Sequence, residues 1–211
     1  MLLNHFANGT LYIKTVLQIL AGLGTYFLLL KIVLRRSSAV VGAILFELAG
    51  VFSWHSAPLT SPVAFLPWLV LGIELSREHV LSHRRGGSLI IAVSLALSIY
   101  AGFPETAYIN GLLAGVWFLC RLVSVQSGVR FRFIKKVATG AIIGLLISTP
   151  QIIPFVEYVG RSYLANHNAD AGFSGVSLHR TQFAQILFPW VFGGIWYYPD
   201  TAAIWGGVGG F

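Results

Sequence analysis

Apolar residues dominate this chain in long runs, separated by short polar and basic stretches. A helix of about 20 apolar residues crosses the hydrocarbon core of a bilayer, so each run predicts a membrane span. Six are expected, over residues 11–34, 39–54, 62–75, 88–103, 107–123 and 137–158. The second and third are short and must extend into their flanks or be shielded by neighbours. The predicted fold is all-α: a polytopic membrane helix bundle over residues 1–159, followed by a long loop over 160–211.

The positions of the basic residues orient the bundle, because basic loops stay in the cytoplasm. Lys31, Arg35 and Arg36 follow the first run, and Arg77, Arg84 and Arg85 follow the third. Arg121, Arg130, Arg132, Lys135 and Lys136 lie between the fifth and sixth, so these three clusters hold 11 of the 14 basic residues. The N-terminus and the loop 160–211 are therefore expected outside, with Glu105, Glu157, Asp170 and Asp200 on the same side. The first run is read as a retained span, since no small-residue cleavage site follows it and the next residues are basic.

Composition agrees with a membrane location. The 211 residues carry a net charge of +7, are 56% hydrophobic and only 10% charged, and have a mean hydropathy of +0.76. Soluble domains carry about 25% charged residues. Disorder, collagen and nucleic-acid binding are excluded together; the bilayer is the first partner. The lone Cys120 rules out an intrachain disulfide and is expected to be buried as a small hydrophobe. Gly111-x-x-x-Gly115 and Gly140-x-x-x-Gly144 have the spacing of helix-packing faces.

The loop 160–211 is rich in Gly, Ser, Asn and aromatics. Residues 181–191 predict a short interfacial helix, and Trp190, Trp196, Tyr197, Tyr198 and Trp205 an aromatic belt. The apolar, glycine-rich end at Phe211 is expected to precede a further span.

Ionisable groups inside a membrane call for a partner or a purpose. Glu47 lies within the second run, either as a proton or cation site or paired with Lys14 or Lys31. On the outer side, His55, Glu105, Gln151 and Glu157 lie at span ends beside prolines. Glu105 follows a Gly-x-Pro turn, so its carboxylate falls at a helix start; it either stabilises that start or acts as a general base toward a hydroxyl-rich ligand. Phosphate-loop, zinc-protease and nucleophile-elbow motifs are absent. His79 and His83 sit in a basic loop, which disfavours a metal there.

The stretches Gly24-Thr-Tyr-Phe-Leu-Leu-Leu-Lys31, Ala64-Phe-Leu-Pro-Trp68, Gly72-Ile-Glu-Leu75 and Ala101-Gly-Phe-Pro-Glu-Thr-Ala107 occur in the order found in bacterial YfhO-like membrane proteins. Ser148-Thr-Pro-Gln-Ile-Ile-Pro154 with Glu157, Phe173-Ser174, and Leu187-Phe-Pro-Trp-Val-Phe-Gly-Gly194 continue the pattern, so that most of the chain resembles this family. The resemblance implies a GT-C class glycosyltransferase in the bacterial plasma membrane. Its donor would be a sugar on a polyprenyl phosphate, and its acceptor a cell-envelope polymer at the outer face. Glu105 would be the candidate catalytic residue. His55, Gln151 and Glu157 would line the substrate site, with Arg161 and Arg180 as the outer cations for the lipid phosphate. The class allows a divalent cation, for which these residues offer no evident site. Its usual acid in the first outer loop has no counterpart in residues 55–61, so the chain is expected to be a fragment, lacking N-terminal and C-terminal parts and inactive alone. A transporter or lipid-linked flippase using Glu47, or a non-catalytic scaffold, is the alternative.

Overall fold

The computed structural model describes residues 9–32, 35–49, 58–81 and 86–161. The chain divides into two units, Met1–Ile153 and Pro154–Phe211. All regular elements among the described residues are helices: α1 (Gly9–Ile32), α2 (Arg36–Glu47), a 3₁₀ segment (Pro58–Phe65), α3 (Leu66–Leu81), α4 (Ser88–Tyr100), α5 (Pro104–Ser124), α6 (Ser127–Ile147) and α7 (Thr149–Arg161). The predicted interfacial helix 181–191 and its aromatic belt lie outside the described residues.

Among the described residues two helices are long and apolar enough to cross a membrane, Leu11–Ile32 and Pro104–Ser124, and Ser127–Ile147 with Thr149–Arg161 together form a third, interrupted candidate. α2 has 12 residues and α4 has 13, both short of a span at 1.5 Å per residue. The third expected run gains length from the 3₁₀ segment, which continues directly into α3. At the rises of the two helix types the pair extends about 40 Å.

In the first unit, side-chain contacts fix the helix directions. The Trp68 indole lies beside Gly24, where a Cβ would meet it at 2.5 Å, and donates from Nε1 to the Leu20 carbonyl at 2.8 Å. Further along both helices Lys31 pairs with Glu78 at 2.7 Å, so α1 and α3 run parallel. Asn110 Nδ2 donates to the Pro62 carbonyl at 2.7 Å and to Ser98 Oγ at 3.2 Å. Lower on the same helices, Glu74 meets Trp117 and Arg121, so α5 also runs with α3. The C-terminal ends of α1, α3 and α5 thus gather at one end of the bundle. α4 returns against α3, with Gly72 on Ile91 and Gly87 on Ser76. Gly87 has φ 78°, a conformation open to glycine at little cost.

α6 lies parallel to α4 in backbone-close packing. A Cβ at Gly140 would stand 2.6 Å from the Ser88 carbonyl oxygen, and one at Gly144 would stand 2.9 Å from that of Ala92. This glycine pair packs as its spacing predicts. Gly111 and Gly115 have nothing within 4 Å. The main core joins α3, α4, α5 and α6 through Leu69, Ile73, Ile91, Ala114 and Phe133. A smaller cluster of Ala21, Ala64 and Phe65 seats α1 on the 3₁₀ segment.

Three expectations are corrected. The basic stretch after the fifth run is helical from Ser127, and Arg130 donates from Nε to the Val125 carbonyl at 2.8 Å, closing the end of α5. Cys120 is exposed, on the side of α5 that also turns Leu112, Val116, Leu119 and Val123 outward. A run that is apolar all round does not mark which face packs. The sixth run is interrupted at Ser148.

Proline causes the interruption, because Pro150 has no N–H for the Leu146 carbonyl. Thr149 Oγ1 donates to that carbonyl at 2.7 Å. The Gln151 amide bonds the Ser148 carbonyl, which leaves the Ile147 carbonyl to the Tyr100 hydroxyl, at 2.7 Å. Hydroxyls thus replace the lost amide donors. Tyr100→Phe is expected to lower stability by about 1 kcal/mol, measured by denaturant titration in detergent micelles; an unchanged midpoint would contradict this accounting.

Candidate functional site

The chain leaves α4 through Ala101-Gly102-Phe103, with Gly102 at φ 99° and Pro104 opening α5. Proline suits a helix start because its missing N–H would be unpaired there anyway. Glu105 follows in the first turn and is exposed. No hydrogen bond or ion pair holds its carboxylate among the described residues, so it stands at a partly positive helix start and is free to accept a proton or a ligand hydroxyl. Its end of α5 is opposite the end bearing Arg121.

The other expected site residues are distributed. Gln151 is half-buried near the start of α7, with no bond to Glu105. Glu157 and Arg161, in the second unit, form an exposed i, i+4 ion pair at 2.8 Å. Such pairs contribute little to stability. His55 and Arg180 lie outside the described residues.

Glu47 is the last residue of α2 rather than a mid-helix position. A Cβ at Gly22 of α1 would lie 2.5 Å from its Oε2, so the carboxylate lies against the α1 backbone. It is paired with neither Lys14 nor Lys31; Lys31 is held by Glu78 instead.

The most developed polar cluster is one that the sequence reading did not single out. Glu74 of α3 is 5% exposed. Its Oε1 accepts from Trp117 Nε1 at 2.7 Å and from Arg121 Nε, and its Oε2 faces Arg77 Nη2 at 3.2 Å. The Arg121 guanidinium also covers the Trp117 ring, 4.8 Å from its centroid, a favourable cation–π geometry. Glu74 falls next to the end of the third expected run, where an acid reads as a boundary residue. The available signal was that α5 carries an inward Trp and Arg four residues apart, on one helix face.

Among the described residues no group of three or more His, Cys, Asp or Glu is positioned to hold a metal. Comparison of the chain with protein-family models, curated proteins and solved structures returned no match. The described residues are all-helical, with candidate membrane-spanning helices among them.

Proposed function

We propose that the chain is part of a six-span, YfhO-like membrane glycosyltransferase of GT-C type. It would transfer sugar from a polyprenyl-phosphate carrier to a cell-envelope acceptor at the outer face of the bacterial plasma membrane. The observation that supports this best is Glu105, an exposed carboxylate in the first turn of α5 with no partner among the described residues, at the end away from the gathered basic helix ends. Held there, it would take the proton from an acceptor hydroxyl as that oxygen attacks the sugar's anomeric carbon and the carrier phosphate departs. His55 and Gln151 would line the sugar site with Glu105.

Glu105→Gln in the full-length protein is expected to lower transfer from a polyprenyl-phosphate sugar about a hundredfold, the usual scale of a lost general base. Undiminished transfer overturns the role. Glu47, which lies beside Gly22 with no ion-pair partner among the described residues, favours a transporter or flippase as second reading. In that case Glu47→Gln would abolish movement of a lipid-linked sugar across proteoliposomes, and Glu105→Gln would leave it intact.

A further inference from the structure

Around Glu74, two guanidinium groups face one carboxylate, leaving one positive charge in excess. The carboxylate is 5% exposed, whereas the side chains of Arg77 and Arg121 are 35% and 26% exposed. The acid is therefore interior and the two cations form its rim. Their bonds use only part of their capacity. Arg121 donates to Glu74 from Nε, and its two Nη groups bond nothing among the described residues. Arg77 approaches Glu74 through Nη2, and its Nε is buried with no hydrogen-bond partner among the described residues. An enclosed atom of this kind is not open to a ligand from the bilayer, which leaves the Nη groups of the two partly exposed side chains to meet a ligand at the rim.

Depth along the bundle suggests which acceptor. Arg77 lies between Glu74 and Glu78 on α3, and Glu78 meets Lys31 in an exposed pair at the end of α1. Arg121 lies in the last turn of α5. The unused donors thus sit where apolar helices give way to charge, the level of lipid headgroups. Arg presents a planar fork that fits phosphate oxygens in pairs, and Trp117 beneath Arg121 holds its guanidinium plane. Ser76 and His79, which also have buried unpartnered atoms, pack on Gly87 and Gly86 and are not counted in this site.

We propose that Arg77 and Arg121, oriented by Glu74 and Trp117, bind the phosphate of an anionic lipid headgroup at the end of the bundle where α1, α3 and α5 terminate. The site is independent of the transfer reaction and of Glu105.

The test uses the full chain in phosphatidylcholine nanodiscs, with spin-labelled phosphatidylglycerol or spin-labelled phosphatidylcholine as the probe. The wild-type protein is expected to immobilise phosphatidylglycerol in preference to phosphatidylcholine. Arg77→Gln should lower that preference about fivefold, the equivalent of about 1 kcal/mol for one basic residue at an anionic surface. Arg77→Lys, which keeps the charge and loses the fork, should also lower it, while Arg132→Gln, an exposed cation of α6, should not. Displacement of the labelled lipid by millimolar inorganic phosphate supports a phosphate site open to both sources; lack of displacement supports the lipid as sole ligand. No headgroup preference in the wild type, or equal losses in Arg77→Gln and Arg132→Gln, overturns the proposal.

Discussion

Glu74→Ala is expected to lower the stability of the bundle by about 3 kcal/mol, at the lower end of the range for breaking a buried ion pair. The variant leaves Arg77 and Arg121 facing one another without their carboxylate, and removes the acceptor of the Trp117 indole. The lower end applies because both guanidinium groups are partly exposed and can extend toward water on their aliphatic stems. Glu74→Gln keeps an oxygen acceptor and should cost about half as much. A double-mutant cycle of Glu74→Ala with Arg121→Leu, read by denaturant titration in micelles, should give a coupling above about 1 kcal/mol. Additive losses would show that the cluster carries no shared energy.

The second large effect is expected at Gly140. A Cβ there would meet the Ser88 carbonyl oxygen at 2.6 Å, the Ile91 Cβ at 2.9 Å and the Ser88 Cα at 3.1 Å. Two of these atoms are backbone, so no rotamer change relieves the crowding; α4 and α6 must separate. Gly140→Leu should cost about 3 kcal/mol or more, the upper range for overpacked sites. Gly111→Leu provides the control, because its surroundings are open within 4 Å and losing a helix-interior glycine should leave stability unchanged or raise it by up to about 1 kcal/mol. Equal thermal midpoints for the two variants would show that the α4–α6 contact is not close-packed.

These two glycine pairs also show how far sequence carries. Their spacing is the same, and spacing places small residues on one face without saying what that face meets. Cys120 illustrates the same gap, since an apolar helix offers no polar side by which to distinguish an exterior from a core. Helical class and most helix positions were legible because length and hydropathy set them. The prolines near the end of the sixth run mark a helix break there, and the chain breaks between Ile147 and Thr149; what sequence does not show is that the freed Ile147 carbonyl takes its hydroxyl from Tyr100, 47 residues earlier. Glu105 was placed correctly at a helix start by its Gly-x-Pro turn. Glu74 is not legible as a site because two of its three partners, Trp117 and Arg121, come from another helix, and only the fold brings them beside it.

The parallel course of α1, α3 and α5 has an electrostatic consequence. Each helix ends with a partial negative charge of roughly half an electron from its unpaired carbonyls, and three such ends lie close together. Lys31 and Arg121 occupy last turns of this group, and Arg130 donates directly to the carbonyls of Val123, in α5, and of Val125, just past its end. These basic residues therefore offset the mutual repulsion of the aligned helix ends, and exchanging them for acids would add to it.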